Sequence, residues 1–280
     1  MHTLACGNFR IALRRPLVMG IVNLTADSFS GDGLGNDTAR AVAHALAQIE
    51  AGADILDLGA ESSRPGAPPV AAADELARLL PMLRALRDAP VPLSVDTAKP
   101  EVMAAALAEG AAMINDIAAL QAPGALAAVA ASQAAVCLMH MQGDPRTMQA
   151  EPSYGDVVAE VAVFLGARAQ ACMAAGIDAA RIVVDPGFGF GKTLAHNLAL
   201  LKHLDALREL GFPLLAGLSR KSMLGAITGR PVADRVHASV AAALLAAERG
   251  AAIIRVHDVA ATRDALMVLN ALDAATLPQG

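Results

Sequence analysis

The sequence predicts an α/β protein folded as a (β/α)₈ TIM barrel. Eight short apolar runs recur along the 280 residues, and longer stretches with helical spacing separate them. Runs such as 182–184 are continuous rather than alternating, which is typical of parallel strands buried on both faces. Eight such units match the length of one barrel. An open doubly wound sheet is the alternative, but polar groups spread over all the strand ends favour closure.

Each apolar run is assigned to a barrel strand and each helical stretch to the outer layer. The runs occupy residues 17–24, 53–58, 91–95, 112–117, 135–139, 181–184, 213–218 and 252–256. Helical spacing covers 38–51, 74–87, 156–175, 233–249 and 261–271. Residues 3–15 predict a short N-terminal β-hairpin that turns at Gly7-Asn8 and plugs the closed end of the barrel. One domain is expected over residues 1–280, because no linker or low-complexity block divides the chain.

Composition argues against several classes of function. A net charge of -5 gives no basic field for nucleic acid, and one Tyr and no Trp leave few stacking platforms. Three cysteines without paired spacing argue against a disulfide framework or a zinc site. No apolar stretch approaches the roughly 18 to 20 residues that cross a bilayer, and the first residues lack the order of a secretion signal. We therefore expect a cytoplasmic protein with no nucleic-acid or membrane partner.

Polar side chains stand at the ends of nearly all the predicted strands. In a (β/α)₈ barrel these ends form the active-site face, and the last two strands often bind a phosphate there. Arg255 and His257 lie two residues apart on the last strand, so their side chains point to the same side. Residues 219–221 follow the preceding strand. Together with Arg255 and His257 they predict an anion site.

Two loops on the same face are longer than the two to six residues usual for such connections. They cover residues 25–36 and 61–69 and are rich in glycine and small polar residues. Loops of this composition often open and close over a substrate. We therefore expect both loops to be lids.

The motifs along the chain resemble those of the dihydropteroate synthases. The resemblance runs in order over nearly the whole sequence. It rests on Met19-Gly-Ile-Val-Asn-Leu-Thr-Ala-Asp-Ser-Phe-Ser-Gly-Asp-Gly33, Asp57-Leu-Gly-Ala-Glu-Ser-Ser-Arg-Pro-Gly66, Ser94-Val-Asp-Thr97, Ile114-Asn-Asp-Ile117, Asp185-Pro-Gly-Phe-Gly-Phe-Gly-Lys192, Ser219-Arg-Lys221 and Arg255-Val-His257.

This resemblance implies a transferase of folate biosynthesis. Its members join 6-hydroxymethyl-7,8-dihydropterin diphosphate to p-aminobenzoate, release pyrophosphate, use Mg²⁺ and are inhibited by sulfonamides. They are commonly homodimers, so a homodimer is expected here. No insertion stands near Phe190 of the kind that resistant forms carry, and we expect sensitivity to sulfonamides.

The residues themselves suggest how a pterin would be bound. Asp96, Asn115 and Asp185 end three different strands, and carboxylates and an amide can pair with the N–H and C=O groups of one flat heterocycle. Taken alone, Asp96 is equally well explained as the N-cap of a following helix. The resemblance adds further pterin-binding residues, namely Met139, Gly217, Lys221 and Arg255.

The resemblance also assigns the other subsites. Diphosphate binding falls to Asn23, Ser63, Arg64, Arg255 and His257, and Asn23 is the Mg²⁺ ligand, although an Asn at a strand end is more often a turn residue. Binding of p-aminobenzoate falls to Phe29, Pro65, Phe190, Ser219 and Lys221. The expected catalytic residues are Asp96, Lys221, Arg255 and His257.

Three residues in or next to the lids depart from the usual pattern of this family. Ala26 replaces a proline, Ala60 a glycine and Ser63 a threonine, and none of these changes removes a catalytic group. Two alternative functions stay open. One is a non-catalytic paralogue that binds pterins, and the other is a pterin-dependent methyltransferase, which would not need basic side chains around an anion.

Overall fold

The computed structural model describes residues 3–25, 37–62, 67–144 and 147–275. Within these ranges the chain forms a closed barrel of eight parallel strands, in the order β10-β3-β4-β5-β6-β7-β8-β9, and a separate two-stranded sheet. The hairpin strands are β1 (Thr3–Cys6) and β2 (Phe9–Ala12). The predicted (β/α)₈ barrel is confirmed, and the open doubly wound sheet is excluded.

The barrel strands lie close to the predicted apolar runs. They are β3 (Leu17–Asn23), β4 (Ile55–Gly59), β5 (Leu93–Asp96), β6 (Met113–Asp116), β7 (Ala135–Met139), β8 (Ile182–Asp185), β9 (Leu214–Ala216) and β10 (Ala251–Val256). The surrounding helices are α1 (Thr38–Glu50), α2 (Ala72–Ala85), α3 (Pro100–Ala108), α4 (Ala125–Ala130), α5 (Val157–Ala174), α6 (Leu194–Lys202), α7 (Ser222–Thr228), α8 (Val236–Glu248) and α9 (Val259–Asp273).

The pleat of the strands divides their side chains between two cores. Successive residues of a strand point to opposite faces, so alternate positions enter the barrel. Met19, Ile55 and Val183 belong to the buried cluster inside it, whereas Val18 and Leu56 belong to the larger cluster that includes the helices. The interior positions become polar toward the carboxyl ends of the strands. The alternation therefore directs the polar groups into the mouth of the barrel.

The N-terminal hairpin closes the opposite end of the barrel, as predicted. Leu4 and Cys6 are fully buried and pack in the interior cluster beside Leu17 and Ala112. The Cys6 thiol donates to the carbonyl oxygen of Ala112 (3.2 Å). Gly7 makes the turn with a φ of +57°, a conformation that favours glycine. The hairpin thus seals the apolar interior away from water.

The expectation that no segment is long and apolar enough to cross a bilayer was wrong. Helix α5 has 18 residues and is long and apolar enough, by length and composition, to cross a membrane. It carries Glu160 and Arg168, and the Arg168 guanidinium donates to the carbonyl oxygen of Ala119 (2.8 Å). Its buried residues, which include Val161 and Leu165, recur every three or four positions and contribute to the core around the barrel. These buried residues and the many alanines between them together give α5 its high mean hydropathy.

We predict that Leu4→Ala destabilises the protein by about 2 to 5 kcal/mol, because it leaves a cavity where the hairpin meets the barrel interior. The matched control is Leu46→Ala, since Leu46 on α1 is exposed. Chemical denaturation measures the free energy of unfolding of both variants. Equal stabilities would mean that the hairpin contributes no packing to the core.

Candidate active site

A cavity of about 590 Å³ opens at the carboxyl ends of the barrel strands. The size suits a small-molecule ligand. Every predicted site residue within the described ranges lines it. These residues are Asn23, Asp96, Asn115, Met139, Asp185, Phe190, Gly217, Ser219, Lys221, Arg255 and His257.

Four predicted site residues lie outside the described residues, namely Phe29, Ser63, Arg64 and Pro65, and so does Ala26. The described ends of the two long loops reach the cavity through Thr25, Glu61 and Ser62. Ala60 is fully buried in the core, and its carbonyl oxygen accepts from Arg78 (3.1 Å). The extra methyl group of Ala60 is therefore accommodated by packing.

The guanidinium group of Arg255 connects three strands at the floor of the cavity. From β10, its Nε donates to Oδ2 of Asp57 on β4 (2.5 Å), and its Nη2 donates to Oδ2 of Asp96 on β5 (2.8 Å). The Asp57 oxygen also accepts from Nδ2 of Asn115 on β6 (3.0 Å). Charge-assisted bonds of this kind are about twice as strong as neutral ones. They fix the directions of the carboxylates and the amide together.

Asp57 was missed by the sequence analysis. It is fully buried in the middle of β4, where Ile55, Leu56 and Leu58 are apolar. A lone carboxylate at an inward position of an otherwise apolar strand was the available signal. The register places Asp57 beside Ser94 on β5, one layer below the predicted polar ends. It therefore supports the site from beneath.

Asp96 is not a helix N-cap. Helix α3 begins at Pro100, its N-cap residue is Lys99, and no side chain caps it. Asp96 ends β5 at an inward position and binds Arg255 instead. The geometry therefore decides between the two explanations that the sequence left open.

Burial controls the titration of the cavity floor. Desolvation raises the pKa of Asp96 to about 7, although the Arg255 charge lowers it. Desolvation also raises the pKa of Asp185. Burial alone would lower the pKa of Arg255. The negative charges of Asp57 and Asp96 have the larger effect and raise it. The Asp96 carboxyl group consequently changes charge near neutral pH.

Asp185 and Lys221 form the wall next to this floor. Oδ1 of Asp185 accepts from the backbone N–H of Gly187 (2.7 Å), which orients the carboxyl group at the end of β8. The Lys221 ammonium donates to the carbonyl oxygen of Phe188. Burial lowers the pKa of Lys221 to about 8, while the nearby Asp185 charge raises it. A carboxylate and an ammonium group thus face one side of the cavity.

His257 and Ser219 are held together at the rim of the cavity. Oγ of Ser219 lies 2.9 Å from Nδ1 of His257 and accepts from the His257 backbone N–H at 3.2 Å. Arg220, between Ser219 and Lys221, pairs with Asp258 through Nη2 and Oδ1 (2.6 Å). Within residues 219–221, the structure therefore directs the Lys221 side chain to the cavity wall beside Asp185 and ties Arg220 to the start of α9.

Phe190 projects from a glycine-rich loop between β8 and α6. The Lys221 ammonium lies 4.4 Å from the centre of its ring. Gly187, Gly189 and Gly191 all have positive φ, and a Cβ at Gly187 would lie 1.9 Å from a backbone oxygen. The backbone therefore requires glycine at these turns. Phe188 in the same loop is fully buried, which leaves Phe190 as the aromatic residue of this loop that lines the cavity.

Lys192 and His140 form a buried pair behind this loop that the sequence did not predict. Nζ of Lys192 lies 2.9 Å from Nδ1 of His140. Burial lowers the pKa of Lys192 to about 7 and that of His140 to about 3. Burial therefore favours the uncharged form of both side chains. No spacing in the sequence connects residues that lie 52 positions apart.

The donor set suits a cation that arrives with an anionic ligand. The described residues contain no group of three or more His, Cys, Asp or Glu side chains placed to hold a metal ion. Asn23 lines the cavity at the end of β3 and offers an amide oxygen. Mg²⁺ commonly takes one or two protein oxygens together with phosphate oxygens and water. An amide oxygen at this position is chemically suited to this mode.

Comparison with known proteins gives a consistent result. Residues 19–257 match the family described as pterin binding enzyme. The chain is 52% identical over 278 residues to the dihydropteroate synthase of Neisseria meningitidis serogroup B, covering 97% of this chain and 98% of that protein.

Solved structures agree with these similarities. The Burkholderia cenocepacia dihydropteroate synthase, complexed with 7,8-dihydropteroate, is 55% identical with a TM-score of 0.90, covering 98% of this chain and 97% of that one. The Yersinia pestis dihydropteroate synthase, in complex with a sulfonamide drug, is 47% identical with a TM-score of 0.95, covering 98% and 100%.

In the unliganded protein we predict that Arg255→Met raises the pKa of Asp96 above its value of about 7. The guanidinium is the positive charge that opposes the effect of burial, so its removal destabilises the carboxylate. Carbon-13 NMR of aspartate-labelled protein measures the titration, with the signal assigned from Asp96→Asn. Arg15→Met is the control, because Arg15 pairs with Asp54 ahead of β4. An unchanged or lower pKa in Arg255→Met would contradict this electrostatic account.

Proposed function

The chain belongs to the pterin-binding enzymes and, within them, to the dihydropteroate synthases, and from that premise we propose which reaction its cavity carries out. It joins 6-hydroxymethyl-7,8-dihydropterin diphosphate to p-aminobenzoate, giving 7,8-dihydropteroate and pyrophosphate. The observation that carries this proposal is the convergence of Asp96, Asn115, Asp185, Lys221 and Arg255 from separate strands and loops in one cavity. Product binding by the Burkholderia cenocepacia relative supports it.

The pterin ring is proposed to lie on the floor of the cavity. Asp96 and Asp185 accept from its N–H groups, and Asn115 pairs with the ring through its amide. Met139 and the planar guanidinium of Arg255 cover the ring faces, while Lys221 donates to a ring acceptor. Gly217 lines the cavity and has no side chain to occupy the space of the ring. Several fixed partners on different strands recognise one flat heterocycle better than any one of them alone.

The diphosphate group is proposed to extend toward the rim. His257, which is oriented by Ser219, lies at the rim, and the cationic Arg255 faces the diphosphate from the floor. Ser63 and Arg64 are assigned to the same role. Asn23 would hold Mg²⁺ through its amide oxygen, with the remaining ligands from the diphosphate and water. When bound, the cation supplies positive charge that stabilises the departing diphosphate.

The proposed reaction is a substitution at the methylene carbon attached to the pterin. The C–O bond to the diphosphate breaks, and its electron pair leaves with the diphosphate oxygen. The nitrogen lone pair of p-aminobenzoate then forms the new C–N bond, and the amine loses a proton to solvent. The ionised carboxylate of Asp96 stabilises the positive charge that develops on the pterin between these steps.

The second substrate is proposed to bind between the loop that carries Phe190 and the segment around Ser219. Phe190 provides an apolar wall, and Lys221 borders it. The Ser219 hydroxyl, together with the backbone nearby, binds the carboxylate. Phe29 and Pro65, from the two long loops, are assigned to the outer walls. The amino nitrogen of this aromatic amine is uncharged, and it needs no strong base to attack the methylene carbon.

We also propose that the protein acts as a cytoplasmic homodimer, without a nucleic-acid or membrane partner. On α9, Met267, Val268 and Leu272 are exposed, and Leu245 on the neighbouring α8 is exposed as well. Exposed apolar side chains concentrated on adjacent helices are typical of a protein interface. Analytical ultracentrifugation would then give twice the monomer mass of 28.5 kDa.

The function is tested by Mg²⁺-dependent release of pyrophosphate from the dihydropterin diphosphate, with and without p-aminobenzoate. We expect release coupled to formation of 7,8-dihydropteroate. Tight pterin binding without turnover would instead indicate a non-catalytic paralogue. Cobalamin-dependent methyl transfer without condensation would indicate the methyltransferase.

Asp96→Asn should lower kcat by roughly 100-fold or more, because the amide cannot balance positive charge in the transition state. The substitution keeps nearly the same size, so pterin binding measured by calorimetry should fall less than kcat. The control is Asp88→Asn, since Asp88 is exposed in the turn that follows α2. Turnover close to that of the unmodified protein would contradict the role given to Asp96.

Sulfonamides should inhibit the reaction in competition with p-aminobenzoate but not with the pterin substrate. They share the aromatic amine of the second substrate and would occupy the same subsite beside Phe190. Steady-state inhibition at varied concentrations of each substrate separates the two patterns. A noncompetitive pattern against p-aminobenzoate would mean that the subsite is elsewhere.

A further inference from the structure

The loop that carries Phe190 is fixed by side chains that do not line the cavity. The carbonyl oxygen of Gly189 accepts from Nε2 of Gln149 (2.6 Å), and that of Gly191 accepts from the hydroxyl of Tyr154 (2.7 Å). Between them, the carbonyl oxygen of Phe190 accepts from Nζ of Lys192 (3.0 Å). Three consecutive peptide groups are therefore each held by a different side chain.

These bonds act on a backbone that would otherwise have wide conformational freedom. Gly189 and Gly191 flank Phe190, and glycine loses more conformational entropy on ordering than any other residue. The bonds from Gln149 and Lys192 fix the two peptide planes that meet at Phe190, and the bond from Tyr154 fixes the next plane, between Gly191 and Lys192. The direction of the Cα–Cβ bond follows from those planes. The external bonds therefore set where the phenyl ring points.

The start of the loop has a separate set of supports. The N–H of Gly187 donates to Asp185, and the N–H of Gly189 donates to Oδ1 of Asn197 on α6 (2.7 Å). Neither Gln149 nor Tyr154 takes part in these bonds. Loss of either side chain should therefore disturb Phe190 and leave Asp185 in place.

We propose that Gln149 and Tyr154 are positioning residues that fix Phe190 and thereby set the affinity for the aromatic amine substrate. Both lie on the connection between β7 and α5, and neither lines the cavity. Lys192 is the third anchor, but its ammonium also binds His140 and the carbonyl oxygen of Gly187, so it supports more than Phe190. This inference rests on the proposed function, because it takes Phe190 as a wall of the p-aminobenzoate subsite.

The kinetic test uses Gln149→Leu and Tyr154→Phe, each of which removes one hydrogen bond and keeps most of the side-chain volume. We expect each to raise the KM for p-aminobenzoate about threefold to tenfold, the range that corresponds to one lost hydrogen bond. The kcat and the KM for the pterin substrate should change less than about twofold, since no group that contacts the pterin moves. This split separates positioning from a general loss of structure.

Gln121→Leu is the matched control. The Gln121 side chain is exposed and also donates to a backbone carbonyl oxygen, that of Ala118 (3.1 Å), but it lies after β6, away from Phe190. An increase in the KM for p-aminobenzoate no larger than in this control would overturn the inference. A fall in kcat together with a rise in the KM values for both substrates would also overturn it.

A second measurement does not depend on activity. The chain has six phenylalanines, so 4-fluorophenylalanine labelling gives a fluorine-19 spectrum in which Phe190→Leu identifies the Phe190 signal. We expect that signal to shift or broaden in Gln149→Leu and Tyr154→Phe but not in Gln121→Leu. An unchanged signal would overturn the inference even in an active enzyme. A changed signal in a protein without synthase activity would instead overturn the proposed function alone.

Discussion

The contact on which the site depends is the pairing of the Arg255 guanidinium with the carboxylates of Asp57 and Asp96 inside the barrel. Burial of any one of these charges alone would be strongly unfavourable, and removal of one partner of a buried pair usually costs more than the pair contributes. Together they hold a cation and two anions at the carboxyl end of an apolar interior. The arrangement tolerates this burial because each charge has at least one hydrogen-bonding partner, although Oδ1 of Asp57 is buried without one among the described residues.

The same contact determines the chemistry available above it. Asp57 orients Asn115, while Arg255 keeps the pKa of Asp96 lower than burial alone would. A carboxylate that titrates near neutral pH can be ionised in the working enzyme and still lie in a low-dielectric site. In such a site its interaction with a cationic transition state is stronger than it would be in water. The floor therefore combines recognition of a heterocycle with electrostatic stabilisation.

The sequence predicted the barrel and the cavity residues for a simple geometric reason. Inward positions alternate along each strand, and the polar residues that end the strands share the parity of the interior apolar residues. Because Asn23, Asp96, Asn115 and Asp185 each end a predicted strand, the sequence also places them at one end of one barrel. The resemblance to a known family then supplied the chemical roles that parity alone does not give.

Other parts of the site depend on contacts that no local pattern encodes. Asp57 sits one layer deeper than the strand ends, and its importance follows from a partner 198 positions away in the sequence. Gln149 and Tyr154 belong to an ordinary connecting segment, and their contacts with the loop of Phe190 arise only when two adjacent βα units pack together. The sequence identifies the Asn and Asp residues at the strand ends as site residues, but it does not identify the residues that hold them in position.

The most direct test of the site is a crystal structure of this protein with 7,8-dihydropteroate bound. We predict that the pterin lies on the cavity floor, with its N–H groups hydrogen-bonded to Asp96 and Asp185, its plane against Arg255 and its aminobenzoyl group beside Phe190. A product molecule bound elsewhere, or bound here with those carboxylates turned away from the pterin, would contradict the account.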